Sequence, residues 1–351
     1  MKTQNAAILG SGIYLPKRIV KNAELEEVLE LEPGTIEART GIKERRWSQD
    51  YETVEYMAAQ ASLQALDDAH IRKVDTIIIA RDAILTQRAY SISLPIVEHL
   101  KENGIDTSHC FSLDIANYCP GFIHAMNIAH LMVKANQVQN ALVVASTNYK
   151  DMIITQREFN RQFKEKFDPQ DEKVRSFSVQ GEYQSPSLNA FLWGCGAGAV
   201  VVGKSEKPGI IAYDAHSSEK VRKNSYGIGE SYRGHAFAAL DGQAIYKYAI
   251  TEVPSFIEKF LSQQNMSPLE IKAFIPHQPN PRIIKKLSEK VQIPSERILV
   301  SCDTLGNMIG ASIPITYHLF RRRIKSEETL LMCSFGDSYL STAGLLCKEV
   351  K

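Results

Sequence analysis

The chain has 351 residues, with 41 Lys and Arg against 40 Asp and Glu and a hydrophobic share of 44%. Charge so evenly balanced argues against nucleic acid as the main partner, because phosphate binding needs clustered cations. The one basic run, Arg321-Arg322-Arg323-Ile324-Lys325, reads as a solvated helix face.

No stretch approaches roughly 18 uninterrupted apolar residues, and the opening Met1-Lys2-Thr3-Gln4-Asn5 lacks the charged-then-apolar pattern of a signal peptide. No membrane span and a cytoplasmic location are therefore expected. The six cysteines include no CxxC pair and no regular spacing, so they read as reduced thiols, mostly buried, rather than as a disulfide scaffold or a metal site. Length allows one large or two modest domains.

Strand-like apolar runs occur in order at Ala6–Leu9, Thr76–Ala80, Cys110–Ile115, Ala141–Ala145, Ala199–Val202, Gly209–Tyr213, Ala273–Pro276, Arg297–Ser301, Thr329–Cys333 and Thr342–Leu346. Between them lie amphipathic stretches such as Val54–Ala69, Pro120–Lys134 and Ala249–Gln263. Short apolar runs alternating with helical periodicity predict an α/β protein whose sheets are covered by helices.

The chain also repeats itself. Asp114-Ile-Ala-Asn-Tyr-Cys119-Pro-Gly-Phe leads through a helix to Ala141-Leu-Val-Val-Ala-Ser146. Asp303-Thr-Leu-Gly-Asn307-Met-Ile-Gly leads through a helix to Thr329-Leu-Leu-Met-Cys-Ser334, and both Cys119 to Ala141 and Asn307 to Thr329 span 22 positions. Each copy continues into a small-residue turn, at Trp193-Gly194 and at Phe335-Gly336, but 46 residues (147–192) intervene in the first. Duplication is the preferred reading over coincidence. It gives an N-terminal half, 1–205, carrying the insertion, and a C-terminal half, 206–351. The insertion is rich in charge and aromatics (Arg157, Phe159, Arg161, Phe163, Lys164, Lys166, Phe167), as lids, binding loops and interface arms often are.

Cys119 stands between a predicted strand and a helix that Pro120 can open at its first position. A thiol there feels the positive end of the helix dipole, which favours thiolate and hence nucleophilic character. His277 ends another strand, and the prolines of Gln278-Pro279-Asn280-Pro281-Arg282 predict a rigid extended loop after it. Asn307 occupies the position of Cys119 in the second copy, after a Gly306 suited to a tight turn. If the halves pack about a pseudo-twofold axis, Cys119 and Asn307 become neighbours, and a Cys, a His and an Asn converge at strand and helix ends.

Four segments carry a family resemblance: Ala38-Arg39-Thr40-Gly41-Ile42-Lys43-Glu44-Arg45, Asp114 through Phe122, Pro276 through Ile283, and Gly306 through Pro314. Together they resemble the β-ketoacyl-acyl-carrier-protein synthase III family, in order and over nearly the whole chain. The resemblance implies the thiolase fold, two similar α/β halves in a five-layer αβαβα stack, and a homodimer. It implies that Cys119 accepts an acyl group from a coenzyme A thioester, without a resident cofactor or metal. His277 and Asn307 would then stabilise the enolate formed as a malonyl unit loses carbon dioxide. Backbone amides at Cys119 and after Gly336 would hold the oxyanion. Arg39, Gly242 and Asn280 match positions lining the pantetheine tunnel, while Gly336 and Asp337 fall in the oxyanion loop. Arg282 matches a basic residue that docks an acidic acyl-carrier protein, and Lys285 and Lys286 add charge of the same sign.

Thr35 stands where many members carry a Trp, Pro120 replaces a small residue, and Asp337-Ser338 replaces glycines. With the long insertion, these departures suggest a specialised member acting in lipid or polyketide metabolism. The same three residues also suit acyl transfer to an oxygen, nitrogen or carbon nucleophile without decarboxylation. A non-catalytic partner subunit and a papain-like protease fit less well, the latter because its cysteine lies near the mature start.

Overall fold

The computed structural model describes residues 4–81, 91–148, 191–218, 242–336 and 340–350, and the backbone of four short strands, Ser178–Val179, Glu182–Tyr183, Glu230–Tyr232 and His235–Phe237. These four are β7, β8, β11 and β12. Most of the 147–192 insertion lies outside the described residues, as does Asp337.

Two sheets form the frame. The first orders β1 (Asn5–Tyr14), β9 (Gly196–Ser205), β6 (Asn140–Thr147), β4 (Thr76–Arg81) and β5 (Phe111–Ala116) side by side. The second orders β10 (Ile210–Ser217), β15 (Ser341–Lys348), β14 (Thr329–Gly336) and β13 (Ala273–Pro276). A small ribbon, β2 (Arg18–Lys21) with β3 (Glu44–Trp47), lies apart.

The pairing directions match step for step. In the first sheet β1 and β6 flank β9 antiparallel, and β4 and β5 follow in parallel. In the second, β10 and β14 flank β15 antiparallel, and β13 follows in parallel. Both outer antiparallel pairs carry a register shift, between Ile8 and Gly10 and between Ile210 and Ala212. The expected strand at Arg297–Ser301 would have completed the match, but it contracts to a turn of 3-10 helix, Ser295–Arg297, and one parallel bridge from Ile298 to Phe274. Pro294 at the head of this segment fixes its own φ and supplies no amide, which favours a turn over a strand.

Side-chain alternation along the strands sorts the apolar residues into layers. Ile78 and Ala80 of β4, Val143 and Ala145 of β6, Ile275 of β13 and Met332 of β14 share one cluster with the helices α5 (Gly121–Lys134) and α9 (Ser312–Phe320). These two helices are therefore the middle layer, buried between the sheets. Ile77, Ile79, Leu142 and Val144 face the other way, onto α3 (Val54–Asp68) and α4 (Ser93–Glu102). Phe274, Leu331, Cys333 and Phe335 face α6 (Gly242–Gln263) and α7 (Pro281–Val291). Helices outside, two sheets and helices between make the five layers that the resemblance implies. Short helices α1 (Asn22–Val28), α2 (Thr35–Thr40) and α8 (Cys302–Leu305) complete the described α-helices.

Candidate active site

Cys119 sits two residues ahead of α5, partly exposed. Pro120 takes the capping position rather than the first helical one, because Gly121 donates back to the carbonyls of Asn117 and Tyr118 and starts the helix one residue later than expected. Tyr118 is held at φ 38. A left-handed backbone on an aromatic residue costs about 1–2 kcal/mol, so the turn that presents the thiol is held under tension by what surrounds it.

The holding element is the end of β14. Ser334, fully buried, donates from Oγ to the carbonyl of Cys119 at 2.7 Å. Gly336 follows at φ 131, and a Cβ placed on it would stand 3.3 Å from the Cys119 Sγ. A side chain here is thus disfavoured both by backbone conformation and by the thiol itself.

His277 meets the same strand end. Its amide donates to the carbonyl of Cys333 at 2.7 Å, and its ring packs edge-on to Phe335 with centroids 5.5 Å apart. Burial among apolar neighbours strips the imidazolium of solvent and pushes the His277 pKa down to about 3, so the ring is neutral around pH 7. Its Nδ1 is buried without a partner among the described residues. The end of β14 thus serves two residues by alternation, Cys333 and Phe335 meeting His277 while Ser334 and Gly336 face Cys119.

Asn307 is built from the other side. Gly306 adopts φ 72, and Asn307 then forms a parallel bridge with Trp193, donating its amide to Leu192 and accepting from Gly194. Its Oδ1 accepts from Ile309 at 2.8 Å, which orients the side-chain amide and leaves the Nδ2 hydrogens as donors. The Leu192 strip is anchored in turn by Arg45, a fully buried arginine whose guanidinium donates to Asn22 Oδ1 and to the carbonyl of Phe191. Desolvation pushes the Arg45 pKa down to about 10. Arg45 stands inside a recognised motif, yet its burial was not legible there, since arginine is ordinarily an exposed residue. Ser334 and Phe335 had a weak signal, a hydroxyl and an aromatic closing an apolar run.

The other expected binding residues stand on α2, α6 and α7, with α2 and α6 both packed against α7. Gly242 is the first residue of α6. Arg39 is exposed on α2, which packs on α7 where Gly41 faces Pro281. The expected extended loop at 278–282 is shorter than predicted, because Pro281 is well suited to a first helical position and opens α7. Asn280 caps that helix by accepting from the Ile283 amide at 2.9 Å, so one end of its side chain serves the fold. Arg282, Lys285 and Lys286 are exposed on α7, and Lys286 pairs with Glu289 at 2.9 Å. Arg321, expected in a solvated run, instead lies against Asp68, Glu349 and the Ser11 hydroxyl; Arg322 and Arg323 remain exposed.

Cys195, Cys302, Cys333 and Cys347 are buried, and burial raises the pKa of Cys302, Cys333 and Cys347, while that of Cys110 rises to about 11. Among the described residues, no group of three or more His, Cys, Asp or Glu is placed to hold a metal ion, and no helix is long and apolar enough to cross a membrane.

Comparison with known proteins fits this frame. The family described as 3-oxoacyl-[acyl-carrier-protein] synthase III matches residues 113–163, and its C-terminal part matches residues 261–347. The β-ketoacyl-[acyl-carrier-protein] synthase III of Aquifex aeolicus is 31% identical over 345 residues, covering 97% of this chain and 98% of its own. The chain belongs to the β-ketoacyl-acyl-carrier-protein synthase III family. The crystal structure of the Aquifex aeolicus enzyme superposes with a TM-score of 0.79 at 28% identity, covering 98% of this chain and 100% of that one. The priming β-ketosynthase of the R1128 polyketide pathway gives 0.80 at 26% identity, covering 99% and 97%. These relatives are condensing enzymes of the transferase class, and the shared fold is the thiolase fold.

Proposed function

We propose that this member of the family is an acyltransferase that condenses two thioesters through Cys119, His277 and Asn307. In the first step the Cys119 thiolate attacks the carbonyl of an acyl-CoA or acyl-carrier-protein thioester. A new carbon–sulfur bond forms and the donor thiol leaves. In the second, a malonyl thioester loses carbon dioxide. The electron pair of the broken carbon–carbon bond becomes an enolate, whose carbon attacks the acyl-Cys carbonyl and releases the Cys119 thiolate. A β-ketoacyl acceptor would instead lose an α-proton. No resident cofactor is required, since both partners arrive as activated thioesters.

The observation that carries this reading is the joint grip of β14 on Cys119 and His277. A neutral His277 and the Nδ2 hydrogens of Asn307 are donors without charge, suited to an enolate oxygen that must later give up its electrons. The departures at Pro120 and Thr35 and the long insertion support a starter or acceptor outside housekeeping fatty-acid synthesis, in lipid or polyketide metabolism. The exposed basic face of Arg39, Arg282, Lys285 and Lys286 supports an acidic carrier protein as a partner. Phe111 and Leu113 of β5, 43% and 39% exposed on a sheet edge, support pairing with a second copy. Leu113→Asp would then shift the sedimentation of the protein toward the monomer, and unaltered sedimentation would sink that pairing.

The decisive experiment is intact-mass measurement after incubation with a panel of acyl-CoAs, followed by malonyl-carrier protein. An acyl adduct on the wild type that is missing from Cys119→Ala, and that disappears with carbon dioxide release, is the expected result. Adduct transfer to a small-molecule nucleophile without carbon dioxide would replace condensation with simple acyl transfer. No adduct with any donor would overturn both.

A further inference from the structure

The two halves grip each other's reactive turn. At the end of β14, Ser334 donates to the carbonyl of Cys119 at 2.7 Å, across 215 positions of sequence. At the end of β6, Thr147 donates from Oγ1 to the carbonyl of Met308, directly after Asn307, at 3.0 Å across 161 positions. β6 and β14 are both eight residues long and occupy the same place in their sheets, between one antiparallel and one parallel neighbour. Both hydroxyl residues are buried, Thr147 at 1% exposure and Ser334 at 0%. Neither bond is a rung of a sheet or helix.

We propose that Ser334 and Thr147 are reciprocal positioning residues, each holding the reactive turn of the opposite half: Ser334 the Cys119 turn and Thr147 the Asn307 turn. The proposal rests on the assignment of Cys119 and Asn307 made above. Strand alternation places Ser334 on the α5 side of the sheet, between Cys333 and Phe335 on the other. The Cys119 turn gains from such a hold, because Tyr118 stands at φ 38, a costly backbone for an aromatic residue. The Asn307 turn already has backbone bonds to Leu192 and Gly194, so Thr147 fixes the carbonyl that follows them. Each hydroxyl tunes one step of a two-step reaction, and the steps can be measured apart.

The test uses Ser334→Ala, Thr147→Val and, as a control, Ser146→Ala, whose hydroxyl instead binds the Val54 carbonyl at 2.8 Å. Acylation is followed by rapid quench and intact mass, and condensation in a single turnover of preformed acyl-enzyme. Ser334→Ala is expected to slow acylation by about fivefold to tenfold at unchanged KM, as loss of one buried hydrogen bond would. Thr147→Val is expected to slow condensation by a similar factor, while each variant leaves the other step within about twofold and the control leaves both. Alkylation of Cys119 by iodoacetamide should slow in Ser334→Ala alone, a readout independent of any substrate. Equal slowing of both steps in both variants, or losses that follow only the folded fraction, would overturn the proposal. Thr147→Val is nearly isosteric and keeps the test open if Ser334→Ala folds poorly. An adduct that survives Cys119→Ala would instead refute the site assignment, whereas loss of the adduct there with a silent Ser334→Ala refutes the clasp alone.

Discussion

The four strands of the second sheet repeat the order and pairing directions of β1, β9, β6 and β4 in the first, yet the turns the two sheets present differ in chemistry. The first half offers Cys119, partly exposed and two residues before α5. The second offers Asn307, 7% exposed and pinned by bonds on both sides of its backbone. A nucleophile must meet its electrophile at bonding distance, so it stands at the surface of the site on a strained turn. An amide that only donates hydrogen bonds gains from rigidity, because preorganised donors need no reorganisation as charge develops. One fold, used twice, thus supplies a reactive turn and a fixed one.

Removing each of the two residues separates their roles. Cys119→Ala should abolish the acyl adduct outright. Asn307→Ala should leave the adduct forming while condensation falls by about 10²–10³, the cost of losing one oxyanion-type donor. Quantifying adduct and product in the same sample distinguishes the two. If Asn307→Ala suppresses acylation as strongly as condensation, the division of labour between the halves is wrong.

Gly336→Ala probes the seam between them. A Cβ there meets the Cys119 Sγ at 3.3 Å on a backbone at φ 131, so the nucleophile or the strand end must shift. Destabilisation of about 1–3 kcal/mol is expected from the backbone alone, and acylation should slow by about tenfold if the Sγ moves off line. Urea titration and the rate of adduct formation measure the two effects. An acylation rate equal to wild type per folded molecule would mean that the seam does not set the thiol's position.

Much of this arrangement was legible in the sequence. The repeat at 22-residue spacing and the apolar runs anticipated the duplicated sheets, because alternation and run length follow directly from which faces a strand buries. Cys119, His277 and Asn307 stood out because each falls at an element boundary within a motif. What failed was local. The run around Ile298 is apolar and suits a strand, but Pro294 and the turn after it leave Ile298 one bridge. The prolines around Asn280 suit an extended loop, yet proline at the next position starts a helix as readily as it extends a chain. The burial of Arg45 and the grips of Ser334 and Thr147 depend on contacts 146 to 215 positions apart, which no local pattern reports.

Both halves are sensitive to acid, the second more strongly. His277 belongs to the second, and burial holds its pKa near 3. A histidine takes its proton more readily in the unfolded chain, where its pKa is about 6.5. The unfolded state therefore binds more protons between those limits, and stability falls as pH drops from about 6.5 toward 3. His277→Asn should flatten that fall by up to one proton, about 1.4 kcal/mol per pH unit. His124, His130 and His318 are also lowered by desolvation and will keep part of the slope. Urea midpoints of wild type and variant between pH 4 and pH 7 make the comparison; parallel curves would show that His277 is not buried in its neutral form.

The smallest expected effect lies on the outer face of the second half. Arg282, Lys285 and Lys286 are exposed on α7, and α2 brings Arg39 beside that helix, whereas no equivalent basic row was expected in the first half. Lys286 already has Glu289 as a partner at 2.9 Å, so Lys285, with no ion pair among the described residues, is the better probe. Exposed charges act mainly through encounter and are screened by salt. Lys285→Glu should raise KM for a malonyl-carrier protein by about twofold to fivefold at low salt, with kcat unchanged, and the difference should vanish toward 1 M salt, where the screening length is about 3 Å. The same substitution should leave KM for an acyl-CoA donor within about twofold, because a small thioester buries little against a surface lysine. A rise that persists in high salt, or that falls equally on both substrates, would place Lys285 against the bound thioester rather than against the carrier protein.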